Sequence, residues 1–507
     1  MAQTINAPAR RDVIDRPAVH QLPFGILKEL KRPGDVFRDL GPNWYASIMG
    51  TGIVAIAGAN LPFRVPGLHT FATVVWALAA AALIALTAAW AVHWIRYPDR
   101  ARAHARHPVM AQFWGAPPMA LMTVGTGTLL LGRGLIGLGA AVDADWVLWG
   151  AGTALGLVTA CWIPYLMMTR HEIGPDAAFG GWLMPVVPPM VSAANGALLI
   201  PYVTSGQGRL TLLLACYAMF GISLFASVII ITQIWSRLVQ HKIGAAAMVP
   251  TLWIVLGPLG QSVTATGNLG TQAGAVMHAP YAAGAAVFAV LYGVPTWGFA
   301  MLWLALAGAI TVRTIRRGMP FGLTWWSFTF PVGTVVTGTI ALAGRTDAVA
   351  LRWATVPLYA LLLAAWLVVA VRTARGSATG RLFQPMPAPA AAAGPAGPAK
   401  LRGLGGSAGE LGEPGGDLRG RGDVGAEVAG ALVVGGTEAD RRHQSAGGGE
   451  RRLAVAGVGV DRLLVTRGQV EPGGRGGGPA DADAIRGAQR GGEPAGRVLQ
   501  QGGATRG

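Results

Sequence analysis

Hydroxyl and small side chains recur at helical spacing in a stretch that has no ionisable residue between Phe321 and Leu342. Ser327, Phe330, Thr334, Thr337 and Ala341 fall on one stripe there, with Gly338 at its edge. On a helix turning about 100° per residue, Trp325, Val332, Val336 and Ile340 point the other way, as a face toward lipid or packed helices would. Hydroxyls of this kind can donate to an anion stripped of water, each hydrogen bond to a charged group contributing about 1.5–3 kcal/mol. The one phenylalanine in the stripe would plug a narrow polar path. Ordinary helix packing gives the same pattern, because small residues and Ser/Thr are also the usual contacts between membrane helices. Comparable stripes occur elsewhere: Ser47, Gly50, Thr51 and Gly58; Pro185, Pro189, Ser192 and Gly196; Pro250, Gly257, Gln261 and Thr264. Their repetition favours a central pathway, although the segment around Pro117 and Gly125 is ambiguous.

Catalytic chemistry finds little support. There is no GxSxG elbow, no HExxH (His171-Glu172 lacks the second histidine) and no glycine-rich phosphate loop after a strand. No cofactor or metal is expected. His104 and His107 sit in a basic loop and read as solvated or headgroup-facing, and Cys161 and Cys216 fall inside apolar segments, which argues against a disulfide framework or a zinc site. No Asp, Glu, Lys or Arg is expected deep in any span, and His93 and His278 lie near span ends. The proton or cation relay of ion-coupled pumps is therefore missing. Neutral donors and the positive ends of broken helices suit the passage of anions.

The elements that must position these residues are membrane helices. The chain has 507 residues, 52% hydrophobic and 13% charged, with seventeen tryptophans. Its apolar runs read as an all-α polytopic membrane protein of ten spans, near 43–60, 70–95, 111–131, 146–169, 181–201, 210–236, 247–266, 281–312, 322–343 and 350–372. Prolines and glycines fall well inside several odd-numbered spans (Pro117, Pro118, Pro188, Pro189, Pro258, Pro331), while spans two, six and ten are smoother. That alternation reads as five helical hairpins with bent members around a central pore and smooth members outside. The net charge of +16 sits largely in short loops and the N-terminal segment, which explains it by orientation in the membrane rather than by nucleic acid. The basic bias puts both termini in the cytoplasm. Residues 1–41 form an N-terminal segment with an interfacial helix over 24–40, broken at Pro33; residues 42–375 form the transmembrane domain. Residues 376–507 are expected to form a low-complexity, disordered C-terminal tail, since no aromatic residue occurs in 384–507 and the stretch cannot bury a core.

Four segments carry a resemblance: GPNWYASIMGTGIVA at 41–55, WLMPVVPPMVSAANGALL at 182–199, PTLWIVLGPLGQSVTA at 250–265 and GLTWWSFTFPVGT at 322–334. They resemble the tellurite-resistance/dicarboxylate transporter family, which includes bacterial tellurite-resistance membrane proteins, fungal malate and sulfite transporters, and the slow anion channels of plant guard cells. The resemblance implies ten helices in five hairpins, a pore lined by the odd-numbered helices, and a homotrimer in the cell membrane. It also implies a pore-blocking phenylalanine just before the ninth-helix proline, here Phe330, with Phe328 as the alternative. The expected lining is then Ser47, Gly50, Thr51, Pro189, Ser192, Gly196, Gly257, Gln261, Thr264, Ser327, Thr334 and Thr337. The implied solutes are small inorganic anions or C4-dicarboxylates. Proton-coupled efflux of sulfite or tellurite-related oxyanions is the rival reading, and a non-transporting membrane scaffold is a third.

Overall fold

The computed structural model describes residues 27–384, Lys31 excepted. It is all-helical, with no strand among the described residues. Ten helical segments stand where ten spans are expected: α1 Tyr45–Ala59, α2 Leu68–Arg96, α3 Met110–Ile136, α4 Leu138–Thr169, α5 Pro188–Leu199, α6 Gly206–His241, α7 Ala246–Val276, α8 Tyr281–Ile315, α9 Leu323–Thr346 and α10 Val349–Thr379. Eight of them are long and apolar enough to cross a bilayer. The other two, α1 with 15 residues and α5 with 12, are short of that length alone and are extended by 3-10 turns at Pro42–Trp44, Gly180–Leu183 and Ile200–Tyr202.

The odd-numbered helices form a closed ring, α1 touching α3, α3 touching α5, α5 touching α7, α7 touching α9, and α9 returning to α1. Each even-numbered helix packs on the inner helix of its own hairpin and also on the next inner helix around the ring. The five hairpins therefore repeat. The repeat is faint in sequence because it is carried by one local device, a tryptophan in a 3-10 lead-in followed by an α-helix. Trp44, Trp114, Trp182, Trp253 and Trp326 all lie in such lead-ins.

The prolines expected to bend helices in mid-span stand instead at the change from 3-10 to α. Pro117 and Pro118 fall in the first turn after Gly115, Pro188 and Pro189 open α5, Pro258 is near the start of the α portion Leu256–Val276, and Pro331 follows Phe330 at the start of another. A first helical turn has no intrahelical use for its N–H groups, so proline sits there without losing a bond.

The expected interfacial helix over 24–40 is not one helix. Leu27 to Leu30 make a turn and Pro33–Phe37 a 3-10 helix, and residues 24–26 lie outside the described residues, as does the tail beyond 384. Leu27 and Glu29 donate backbone N–H groups to Ala378 and Thr379 at the end of α10, while the Phe37 carbonyl meets the His93 ring at 2.8 Å. Between α2 and α3 a short helix, Pro98–Arg106, half-buries His104 against His93 with ring centroids 5.4 Å apart. Burial, with His93, His107 and Arg100 around it, pulls the His104 pKa down to about 4.

Candidate functional site: two cavities on one axis

Two cavities occupy the ring, and residues of all five inner helices or their lead-ins line each. The narrow one has room for about 20 Å³ of water centres, close to a single water, and is walled almost entirely by apolar groups. Its register is regular. The residue five places after each lead-in tryptophan lines it: Met49, Met119, Val187, Pro258 and Pro331. The wide cavity has room for about 130 Å³ of water centres, enough for several waters.

Both cavities share one side chain, Phe330, itself 3% exposed. Residues from the N-terminal parts of the inner helices line the narrow cavity, and residues further along each helix line the wide one. The five inner helices are therefore parallel, and the positive ends of their dipoles gather at the narrow cavity. The connections carrying Arg96, Arg100, Arg102, Arg106, Arg170, Lys242, Arg316 and Arg317 reach the ring at that same end.

Register sorts the wide cavity into three tiers. Ile53, Thr123, Val191 and Gln261 lie nearest Phe330; Ile56, Thr126, Asn195, Thr264 and Thr337 follow; Asn60, Leu130, Leu198, Asn268 and Ala341 come last. Four of the five residues in the middle tier are polar. Thr264 and Thr337 hydroxyls are 2.8 Å apart, which ties α7 to α9 across the wall. Asn195 donates to the Met122 carbonyl at 3.3 Å, and Asn268 to the Ala194 carbonyl at 3.0 Å. The Thr126 hydroxyl is buried without a protein partner among the described residues.

Of the residues expected in the lining, Gln261, Thr264 and Thr337 border the wide cavity, Gly257 and Ser327 the narrow one, and Phe330 both. The others border neither cavity. Ser47 donates to the Trp44 carbonyl, Thr51 accepts from the Trp366 indole of α10, and Gly50 faces Thr329 and Trp326. Ser192 accepts from Thr153 of α4, its carbonyl accepts from Trp149, and Gly196 lies against Trp149 and Cys216. Buried Pro189 borders neither cavity, and the Thr334 hydroxyl, which donates to the Pro331 carbonyl at 2.7 Å, lies 3.2 and 3.3 Å from the Leu256 and Gly257 carbonyls of α7. On α1 and α5 the small stripe lets neighbouring helices approach closely, which leaves the cavity faces to Met49, Ile53, Ile56 and Asn60 and to Val191, Asn195 and Leu198. Ile340, assigned to the outward face, also borders the wide cavity.

Asn60, Asn195 and Asn268 border the wide cavity and lie outside the sequence-based expectation. The signal was present: an asparagine in an otherwise apolar span is as unusual as a hydroxyl stripe, but a search for hydroxyls and small residues passes over amides. Asp145 departs from the expectation that no acidic residue lies within a span. It is 1% exposed on α4 beside Gly125 of α3, and neither carboxyl oxygen has a hydrogen-bond partner among the described residues. The expected span began at 146, whereas the helix begins at Leu138 and carries Asp145 into the seam. An acidic side chain thus lies inside a membrane helix, although neither cavity includes it.

Comparison with known proteins agrees with this architecture. The family described as voltage-dependent anion channel (SLAC1) matches residues 39–374. A sulfite efflux pump, SSU1, of Arthroderma otae is 28% identical over 355 residues, covering 68% of this chain and 92% of that protein. The sulfite efflux pump of Trichophyton rubrum is 30% identical over 310 residues, 59% of this chain and 80% of its own. An uncharacterised transporter of Methanocaldococcus jannaschii is 26% identical over 351 residues, 69% of this chain and 97% of that one. The ring of five hairpins and the match over nearly all of it make this chain a member of the voltage-dependent anion channel (SLAC1) family.

Proposed function

We propose that the protein moves small anions across the cell membrane along the axis of the inner ring, with Phe330 as the plug between two cavities. The observation that carries this reading is that one buried aromatic side chain borders both cavities. An anion in hydrocarbon costs tens of kcal/mol, and a path walled by hydroxyls, amides and helix N-termini replaces part of its lost hydration. In this reading the basic connections at the narrow end face the cytoplasm and raise the anion concentration there, both termini are cytoplasmic, and the protein assembles as a trimer.

Reconstituted Phe330→Ala is expected to raise nitrate flux at least tenfold over the unsubstituted protein, measured in sealed proteoliposomes. Equal or lower flux in a monodisperse variant would overturn Phe330 as the plug. The named sulfite efflux pumps among the relatives favour a second reading, export of sulfite, for which coupling to protons is the rival mechanism. Uphill sulfite movement driven by an imposed proton gradient is its measurement. Dicarboxylates such as malate are tested in the same vesicles.

A further inference from the structure

The repeat shows what a lead-in indole needs, and one hairpin lacks it. Trp253 and Trp326 donate to the hydroxyls of Thr311 on α8 and Thr373 on α10, at 2.9 and 3.1 Å, so each is satisfied by the outer helix of its own hairpin. Trp182 departs from this pattern. It is half-buried, its indole makes no hydrogen bond among the described residues, and it borders a cleft that separates it from α6. The cleft lies off the axis, at the narrow end of the ring, between Gly174 and Pro175 of the connection into α5 and the last turns of α6. It has room for about 250 Å³ of water centres, about twice the wide axial cavity.

The chemistry of the cleft is one-sided. Gln233, Ser236, Arg237 and Gln240 share one face of α6 and form its wall. Arg237 donates to the Asp176 and Ile243 carbonyls at 3.1 and 3.3 Å, which fixes the guanidinium while using only two of its five N–H groups. Gln240 donates to the Ser236 hydroxyl at 2.8 Å, and Gln233 makes no hydrogen bond to the protein among the described residues. No carboxylate borders the cleft among those residues, and Asp176 meets Arg237 through its backbone alone. An anchored cation beside unused indole and amide donors suits a singly charged oxyanion group such as a phosphodiester.

The surroundings identify which phosphodiester. On the same face of α6, one turn further into the helix from Gln233, stands Ile229, 60% exposed, and a turn beyond it Phe225, 71% exposed. Because α6 is one of the helices long and apolar enough to cross a bilayer, these side chains mark the acyl region and the cleft stands at its edge. Basic pockets at that level of a membrane protein are placed to take lipid headgroups. We propose that the cleft holds the headgroup of a membrane phospholipid, with the phosphate on Arg237 and the Trp182 indole and the acyl chains along Ile229 and Phe225. The lipid then gives the third hairpin the bridge that Thr311 and Thr373 give the fourth and fifth. Nothing in this requires the transport reading.

The test uses the delipidated full chain in detergent, with dioleoylphosphatidylglycerol as the probe and native mass spectrometry and melting temperature as the readouts. One copy per chain is expected to be retained at least tenfold more tightly than a diacylglycerol with the same chains, and to raise the melting temperature. Trp182→Phe and Gln233→Leu each remove a donor that bonds nothing in the protein among the described residues, so both variants should purify normally. Each should weaken retention about tenfold, the loss of one hydrogen bond to a charged group. Arg237→Gln should weaken it further, but it also frees two carbonyls, so the first two variants decide. Diacylglycerol held as tightly as the phospholipid, or unsubstituted affinity in both variants, would overturn the site. Inorganic phosphate alone raising the melting temperature as much as the phospholipid would overturn the lipid as occupant and point to a soluble phosphate instead.

Discussion

The inner and outer helices draw on nearly the same residues, Ala, Leu, Val and Gly, but meet different surroundings. In the membrane-length inner helices α3, α7 and α9, 67–83% of the apolar stretch is buried, against 17–33% in the outer five. The difference does not lie in hydrophobicity, since the outer helices are the more apolar on average. It lies in the lead-in. A tryptophan, a 3-10 turn and a proline in the lead-in or in the first α turn after it mark all five inner members, and their backbones come close enough to exclude a side chain.

The closest such approaches occur where lead-ins cross. A Cβ on Gly180 would meet the Thr251 carbonyl, and one on Gly115 the Met184 carbonyl, so the obstacle is backbone that cannot turn aside. Gly260 and Gly338 make the same kind of approach between α7 and α9, where a Cβ on Gly338 would stand 2.8 Å from the Gly260 carbonyl oxygen. Gly180→Ala is expected to cost more than the 1–3 kcal/mol usual for overpacking, and to lower the yield of monodisperse protein and its melting temperature in detergent. Gly221 on the outer helix α6 has no neighbouring atom within 4 Å, and its alanine variant should purify normally. If Gly180→Ala and Gly221→Ala behaved alike, the distinction between the two shells would fail.

A smaller effect separates stability from function within the inner ring. The Thr126 hydroxyl is buried and unpaired among the described residues, a condition that costs about 1–3 kcal/mol when no water or ligand answers it. Thr126→Val keeps the shape and removes the hydroxyl. The variant should melt at a higher temperature, by about 1 kcal/mol of stability, and pass nitrate several-fold more slowly. Higher stability with unchanged flux would show that the hydroxyl serves neither solute nor water in the cavity.

These contrasts show how far the sequence could be read. The ten helices and the inner–outer alternation were legible, because apolar length and the placement of proline and glycine are one-dimensional properties. Phe330 stood on the expected stripe by its register, its role as a plug came from the resemblance alone, and on α7 Gly257, Gln261 and Thr264 of the expected stripe border the cavities whereas Pro250 does not. The faces of α1 and α5 were not legible. A small-residue stripe marks close approach, and close approach to a neighbouring helix looks the same in sequence as proximity to a pore. Which one holds for Gly50 or Gly196 depends on where Trp326 and Trp149 arrive from, and that is a three-dimensional fact. Asp145 was misplaced for a different reason: its helix starts a turn and more before the apolar run does, so hydropathy alone set the boundary too late.

The smallest expected effect lies on the outer shell and tests what surrounds it. Gly298 and Gly308 of α8 have open space where a Cβ would stand, and Leu291, Leu302 and Leu306 on the same helix are exposed. If lipid covers this face, Gly298→Ala and Gly308→Ala replace a poor helix former with a good one and gain at most about 1 kcal/mol each. Melting temperature in detergent should then rise slightly, with the assembled mass unchanged. If a second copy of the chain covers the face, the new methyl groups fall in an interface between helices, where glycine permits close approach. The assembled mass measured by light scattering would then drop while the fold of each chain, read by its helical circular dichroism, stays the same. The two outcomes differ in sign and in observable, so one pair of substitutions decides whether the outer helices face lipid at α8 or meet another copy there.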